Sequence, residues 1–203
     1  MDNQDRIIKN DKDDKEKLPY SIAIIKPDAH RDILAETIIK DIKENGLDIA
    51  FVKDMVLSRE QAEKIYSDHF NEPHFEASVK SLMGEKGCDY VTVLIVESKD
   101  GPSLEKIQEI KGRSDKGGIR LKLRVLSQKE LEERGFSGDE LKEELAKNRL
   151  HVPDSDELNR SLINMLLTSK EIKELIERRP EVYKELRQIS EKNRELKMLP
   201  PVR

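Results

Sequence analysis

The chain has 203 residues, 39% of them charged and 35% hydrophobic, with 38 Lys and Arg against 42 Asp and Glu. This length suits one domain with extensions, and a net charge of −4 makes no one-signed field, which argues against general nucleic-acid or membrane-surface binding. The longest apolar runs, Ile22–Ile25 and Val91–Val96, fall far short of the roughly 20 residues of a spanning helix, and the polar start lacks the apolar stretch of a secretory signal, so a cytoplasmic protein without membrane partners is expected.

Residues 1–17, including NDKDDKEK, bury too little to offset chain entropy and read as a disordered tail. YSIAIIKP then reads as a buried strand stopped by Pro27. Asp28 is the expected cap of a helix carrying Leu34, Ile38 and Ile42 at four-residue spacing and ending at Asn45-Gly46. A second strand, LDIAFVKDMVLS, places Ile49 and Phe51 in alternation with polar neighbours, and Ser58 caps the helix after it, which Pro73 breaks. HFEASVKSLMG is a further helix, CDYVTVLIVES the most strand-like stretch, and Ser103 to Lys111 a helix with Leu104, Ile107 and Ile110 on one stripe. The order β-α-β-α-α-β-α suggests an α+β sheet with helices on one face.

Beyond a GRSDKGG loop, IRLKLRVLS reads as strand or extended chain, and QKELEERGFSGDELKEELAKN as two short charged helices broken at Gly135 and Gly138. RLHV is a brief fourth strand. Asp154 or Ser155 caps a helix from Asp156 to Leu167, and two more helices follow, Lys170 to Arg178 and Glu181 to Glu195.

No Gly-rich phosphate loop, nucleophile elbow or H-E-x-x-H is present, so a phosphate site must be built from side chains. Lys26, forced into extended geometry by Pro27, sits on the sheet rim as a point charge for an anion. His151, just before a helix start, is placed to act as nucleophile or base. His30, His69 and His74 show no ligand spacing with a carboxylate or cysteine, the single Cys88 makes no internal disulfide, and no metal site is expected.

AIIKPDA, YSDHFNEPHF and NRLHVPDSDE, in that order, resemble the nucleoside diphosphate kinase family. The resemblance implies a ferredoxin-like βαββαβ antiparallel sheet with helices on the faces, over 18–167, with an insertion at about 125–147 and a C-terminal helical extension over 168–203. It implies transfer of the terminal phosphate of a nucleoside triphosphate to a diphosphate by a ping-pong route, with Mg2+ on the nucleotide, in a homo-oligomer. Residue by residue, it makes His151 the phosphate acceptor. Lys26 of K-P-D, Tyr66, Ser114 of GRSD, Arg120 (with Arg124 as substitute) and Asn148 become nucleotide-binding residues. Phe75, or His74 one position earlier, takes the place of the base-stacking phenylalanine.

The sequence also departs from the family pattern at three other places. A second phosphate-binding arginine is replaced by Gln108, with Lys111 or Arg113 as candidates to stand in for it. The serine of the histidine motif is Pro153, and the glutamate that orients the histidine falls near Leu162, leaving Glu157 one turn away. Two other readings compete: a nucleotide-binding or regulatory module with weakened catalysis, and a helical interaction scaffold.

Overall fold

The computed structural model describes residues 17–84, 89–113, 117–123 and 125–187. The expected tail (apart from Lys17), Ser114, Arg124 and the end of the last expected helix lie outside these residues. The strands are β1 (Tyr20–Ile25), β2 (Leu47–Val56), β3 (Tyr90–Ser98) and β4 (Leu150–His151), joined antiparallel in the order β2-β3-β1-β4. Helices α1 (Pro27–Arg31) and α2 (Ala35–Glu44) follow β1. Between β2 and β3 lie α3 (Arg59–Ile65), a 3-10 turn at Ser67–His69 and α4 (Phe75–Met83). Next come α5 (Ser103–Lys111), α6 (Gly118–Lys122), α7 (Gln128–Glu133) and α8 (Gly138–Ala146), then α9 (Asp156–Leu166) and α10 (Ser169–Arg178) after β4. The frame β1-α2-β2-β3-α5-β4 is the α+β, ferredoxin-like βαββαβ arrangement.

Helices cover both faces of this sheet rather than one. Strand β1 alternates side chains between two cores: Tyr20, Ile22 and Ile24 join residues of α3, α4, α9 and α10, while Ala23 and Ile25 join residues of α2, α5 and α6. Central strands buried on both faces have little reason to carry polar residues, which is why β1 and β3 read as nearly unbroken apolar runs. In β2 a bulge at Ala50 breaks the register between Ile49, opposite Val96, and Phe51, opposite Ile95. One extra residue reverses the two-residue period, so Ile49 packs with the α2 and α5 side and Phe51 with the other. Simple alternation had put them on one face.

Side-chain caps open four of the ten α-helices described, α7 among them through Ser127. Ser58 and Thr168 form capping boxes with Gln61 and Glu171, and the Ser155 hydroxyl accepts from the Leu158 amide. The helix expected from Asp28 through Ile42 is instead two, because the chain turns at residues 32–34, with Ile33 at φ 58. Asp28 caps neither of them; its carboxylate has another task. The segment expected as strand or extended chain at IRLKLRVLS begins as α6: Gly112 (φ +61) and Gly118 (φ +76) let their backbones approach so closely that a Cβ on Gly112 would lie 2.0 Å from the Gly117 carbonyl. That contact folds α6 against α5, buries Ile119 and carries Arg120 toward the end of β4.

Strand β4 pairs only with Ile24 and Ile25, leaving the upper edge of β1 without a strand neighbour. Asn159 of α9 fills the gap: its Oδ1 accepts from the Ile22 amide at 2.8 Å and its Nδ2 donates to the Tyr20 carbonyl at 3.2 Å. A buried backbone edge must find such partners. After α9 the chain stays on the sheet, with Ile172, Leu175, Tyr183 and Leu186 in the same core, the Tyr183 ring 4.9 Å from Tyr20, and its hydroxyl donating to Glu97.

Candidate active site

Strand β1 ends at Ile25, and Lys26 continues extended (φ −88, ψ 162) because Pro27 opens α1. The Lys26 side chain is fully buried, and a buried ammonium requires partners. Its three donors find three acceptors: the Tyr66 hydroxyl at 3.3 Å, Asn148 Oδ1 at 3.3 Å and the carbonyl of Ala146. Ala146 is the last residue of α8, so its carbonyl is one of those a helix leaves open at its negative end.

The approach to β4 is held by a second ionic contact. Arg149 adopts φ 69, a left-handed conformation uncommon for a residue with a side chain. The Asp28 carboxylate accepts the Arg149 amide at 3.0 Å, Arg149 Nη1 donates to the Asp28 carbonyl at 2.9 Å, and the guanidinium reaches Asp32 at 2.5 Å. The Arg149 carbonyl in turn accepts the Lys26 amide at 2.9 Å. This clamp places Lys26 and His151 on adjoining strands at one end of the sheet.

His151 is 7% exposed, with its ring edge-on to Tyr66 at 4.8 Å. Burial, reinforced by Lys26, Lys111, Arg120 and His69, holds its pKa well below the ordinary imidazole value, so it is neutral at pH 7. Its Nε2 is enclosed without a hydrogen-bond partner among the described residues, and Leu162 is buried in the apolar core. Neither Glu157 nor any other described carboxylate pairs with that nitrogen.

Tyr66, Ala146, Asn148 and His151 line a cleft of about 390 Å³ together with His69, His74, Lys111, Arg120, Lys142 and Asp154, and the buried Lys26 lies behind this wall, bonded to the first three. Cations dominate, and they come from separate elements: Lys111 from the end of α5, Arg120 from α6 and Lys142 from α8, with Lys26 after β1 buried behind them. Burial, then the repulsion of Arg120, brings Lys111 down to about 8 despite the opposing pull of Asp154. Burial likewise lowers the pKa of Arg120, whose Nη2 donates to the Leu150 carbonyl at 3.3 Å. A cleft with this charge and a neutral histidine in its wall suits a phosphate-bearing ligand.

Lys26, Tyr66, Arg120, Asn148 and His151 are therefore brought together, whereas Ser114 lies outside the described residues. Phe75 is the first residue of α4, half-buried against the core with its ring 5.2 Å from Phe70, and does not line the cleft. Its neighbour His74 does, because adjacent positions at a helix start point about 100° apart. Gln108 is turned to the backbone, donating to the Pro153 carbonyl at 2.9 Å, and Lys111 rather than Arg113 lines the cleft. Sequence reasoning missed Lys142, since its place depends on α8 packing against α4. It also missed the convergence of His69, Glu72 and His74, whose ligating atoms all lie within 4.8 Å of one another.

The nucleoside diphosphate kinase family model matches residues 20–172. Among curated relatives, the nucleoside diphosphate kinase of Wolbachia pipientis wMel is 29% identical over 157 residues, covering 75% of this chain and 96% of that protein. A thioredoxin domain-containing protein 3 homolog from Ciona intestinalis is 45% identical over 71 residues, 34% of this chain but only 10% of that much longer protein. Among solved structures, the nucleoside diphosphate kinase of Borrelia burgdorferi, a transition-state mimic with bound vanadate and ADP, superposes with a TM-score of 0.59 at 21% identity, over 75% of this chain and 88% of that one, and shows the shared fold. With the matched span running through the whole sheet and both ends of the cationic cleft, the chain belongs to the nucleoside diphosphate kinase family.

Proposed function

We propose that this protein passes the terminal phosphate of a nucleoside triphosphate to a nucleoside diphosphate in two steps, through phosphohistidine at His151. The observation that carries the reading is the neutral, buried imidazole of His151 in the wall of a cleft that also holds Lys111 and Arg120, with Lys26 bonded to the back of that wall. In the first step an imidazole nitrogen attacks the γ-phosphorus, the bond to the β-phosphate oxygen breaks, and the nucleoside diphosphate leaves with that electron pair. In the second, a terminal phosphate oxygen of the acceptor diphosphate attacks the same phosphorus and the N–P bond breaks, restoring the imidazole. Because Nε2 is enclosed, the other ring nitrogen, Nδ1, is the attacking atom. Lys26, Lys111 and Arg120 hold the phosphate oxygens in line and offset their charge, while Asn148 and Tyr66 orient the ligand.

Magnesium arrives on the nucleotide as part of the substrate. Among the described residues the cleft offers Asp154 as a carboxylate, and Asp154 already faces His69 at 3.0 Å. A hard cation that keeps water and phosphate ligands needs no protein cage here. The same reading includes a nucleoside diphosphate kinase-like unit over 18–167 with its insertion and C-terminal extension, a cytoplasmic location and a homo-oligomer. In support of the last, edge strand β2 exposes Val52 and Val56; no helix among the described residues is long and apolar enough to cross a membrane.

Incubation with γ-labelled ATP and magnesium is the test: acid-labile, alkali-stable label on the protein that is discharged by unlabelled GDP is the expected result. A protein that binds ADP but takes no label would instead support the weakened module. That second reading draws on one observation, the missing partner of His151 Nε2.

Lys111 makes the binding step pH-dependent. With a pKa of about 8 it is charged below that pH and neutral above it, so the Kd for ADP is expected to rise between pH 7 and 9, by about tenfold if one charged hydrogen bond is lost. Calorimetric titrations across that range should show the change, and Lys111→Met should be weaker at pH 7 and flat through pH 8.

A further inference from the structure

The turn between the 3-10 segment and α4 brings two imidazoles and a carboxylate to one point at the mouth of the cleft. His69 Nδ1 lies 3.0 Å from Glu72 Oε1, and His74 Nε2 lies 3.1 Å from Glu72 Oε2. The other nitrogen of His69, Nε2, lies 3.0 Å from Asp154 Oδ2. A neutral imidazole carries one N–H, so His69 cannot donate to both carboxylates; one contact would set lone pair against lone pair. An extra cation between the rings and Glu72 removes that conflict.

We propose that His69, Glu72 and His74 bind one divalent transition-metal ion of the zinc, cobalt or nickel class, separate from the magnesium that travels with nucleotide. Two imidazole nitrogens and one carboxylate oxygen form a donor set that zinc accepts and magnesium does not favour. Asp154 completes it: with the Nε2 proton of His69 directed to Asp154, the Nδ1 lone pair faces the ion, an arrangement in which an outer carboxylate fixes the tautomer and raises ligand basicity. The backbone is already closed around the point, with the His69 amide on the Tyr66 carbonyl, Glu72 on His69 and Phe75 on Glu72, all at 2.9 to 3.0 Å. Pro73 stiffens the same turn. The side chains of all three ligands are between 30% and 47% exposed, leaving room for water to complete the coordination shell.

The experiment uses untagged full-length protein without nucleotide, dialysed against zinc or cobalt chloride. One metal ion per chain is expected, with cobalt giving visible absorption bands of a low-coordinate nitrogen and oxygen site. His69→Ala and His74→Ala, both on the surface turn, should lose the ion, and Asp154→Asn should weaken binding about 10- to 100-fold. His30→Ala and His151→Gln should keep it. Wild-type protein that retains no ion would overturn the site and leave a doubly protonated His69 between its carboxylates. Retention in both His69→Ala and His74→Ala, or equal loss in His30→Ala, would overturn it as well.

Discussion

His151→Ala is expected to take no label from γ-labelled ATP and to lose phosphotransfer by at least about 10⁴-fold, the scale seen when an enzyme's nucleophile is deleted. ADP should still bind, because Lys26, Lys111 and Arg120 remain. With saturating ATP, the wild-type labelling rate should also stay flat from pH 8 down to about pH 6, where an imidazole with the ordinary pKa near 6.5 would already be about three-quarters protonated. The direction follows from burial and the surrounding cations, which lower the folded-state pKa and preserve the nucleophilic neutral form. The same shift acts on stability. In the unfolded chain His151 takes up a proton near pH 6.5, so its contribution is complete above that pH and is lost as pH falls toward the lowered folded value. A labelling rate that declines with a midpoint near 6.5 would show that the ring is not shielded in this way.

Asp28→Ala is expected to cost about 3 kcal/mol, a fall in Tm on the order of 6–12 °C for a chain of this size, by calorimetry or denaturant titration. The carboxylate is buried, with only 3% of the residue exposed. Its removal leaves the Arg149 amide without its acceptor and takes one of two carboxylates from the guanidinium, which keeps Asp32. Arg149 then loses the contact that holds its left-handed backbone, and because its carbonyl accepts the Lys26 amide, the geometry of Lys26 and His151 loosens with it. Turnover should fall even in the fraction that remains folded. Asp28→Asn keeps an acceptor for the amide and should recover more stability than alanine does; equal loss in both would make the side-chain charge, rather than the backbone contact, the essential element.

Much of the frame was legible because it rests on local rules. β1 and β3 announce themselves as apolar runs, Ser58 and Ser155 cap where hydroxyl chemistry requires, and α5 has the predicted bounds. What escaped depends on backbone geometry without a side-chain signature. The Ala50 bulge reverses β2 without any Gly or Pro to mark it, and Asp28 looks like a helix cap until the fold brings Arg149 to it from 121 residues away. The site divides in the same way. Lys26 and His151 follow from the strands that end at them, but Phe75 and His74 exchange places on a shift of one residue. Lys142 joins the cleft only because α8 docks on α4, and the ring pair His69 and His74 meets only across the turn at Pro73.

The environment of Lys26 bears on how phosphate binding would be measured. Its ammonium is saturated before any ligand arrives, with Tyr66, Asn148 and Ala146 each accepting one N–H hydrogen bond. A phosphate oxygen therefore enters by exchange, and the observed affinity is the difference between two nearly complete hydrogen-bond sets, smaller than the strength of the new contact suggests. Removing the Asn148 acceptor alone would raise the ground state of the empty protein as well as weaken the complex. A change in that one side chain can thus leave equilibrium binding almost unaltered while changing how fast ligand and lysine trade partners.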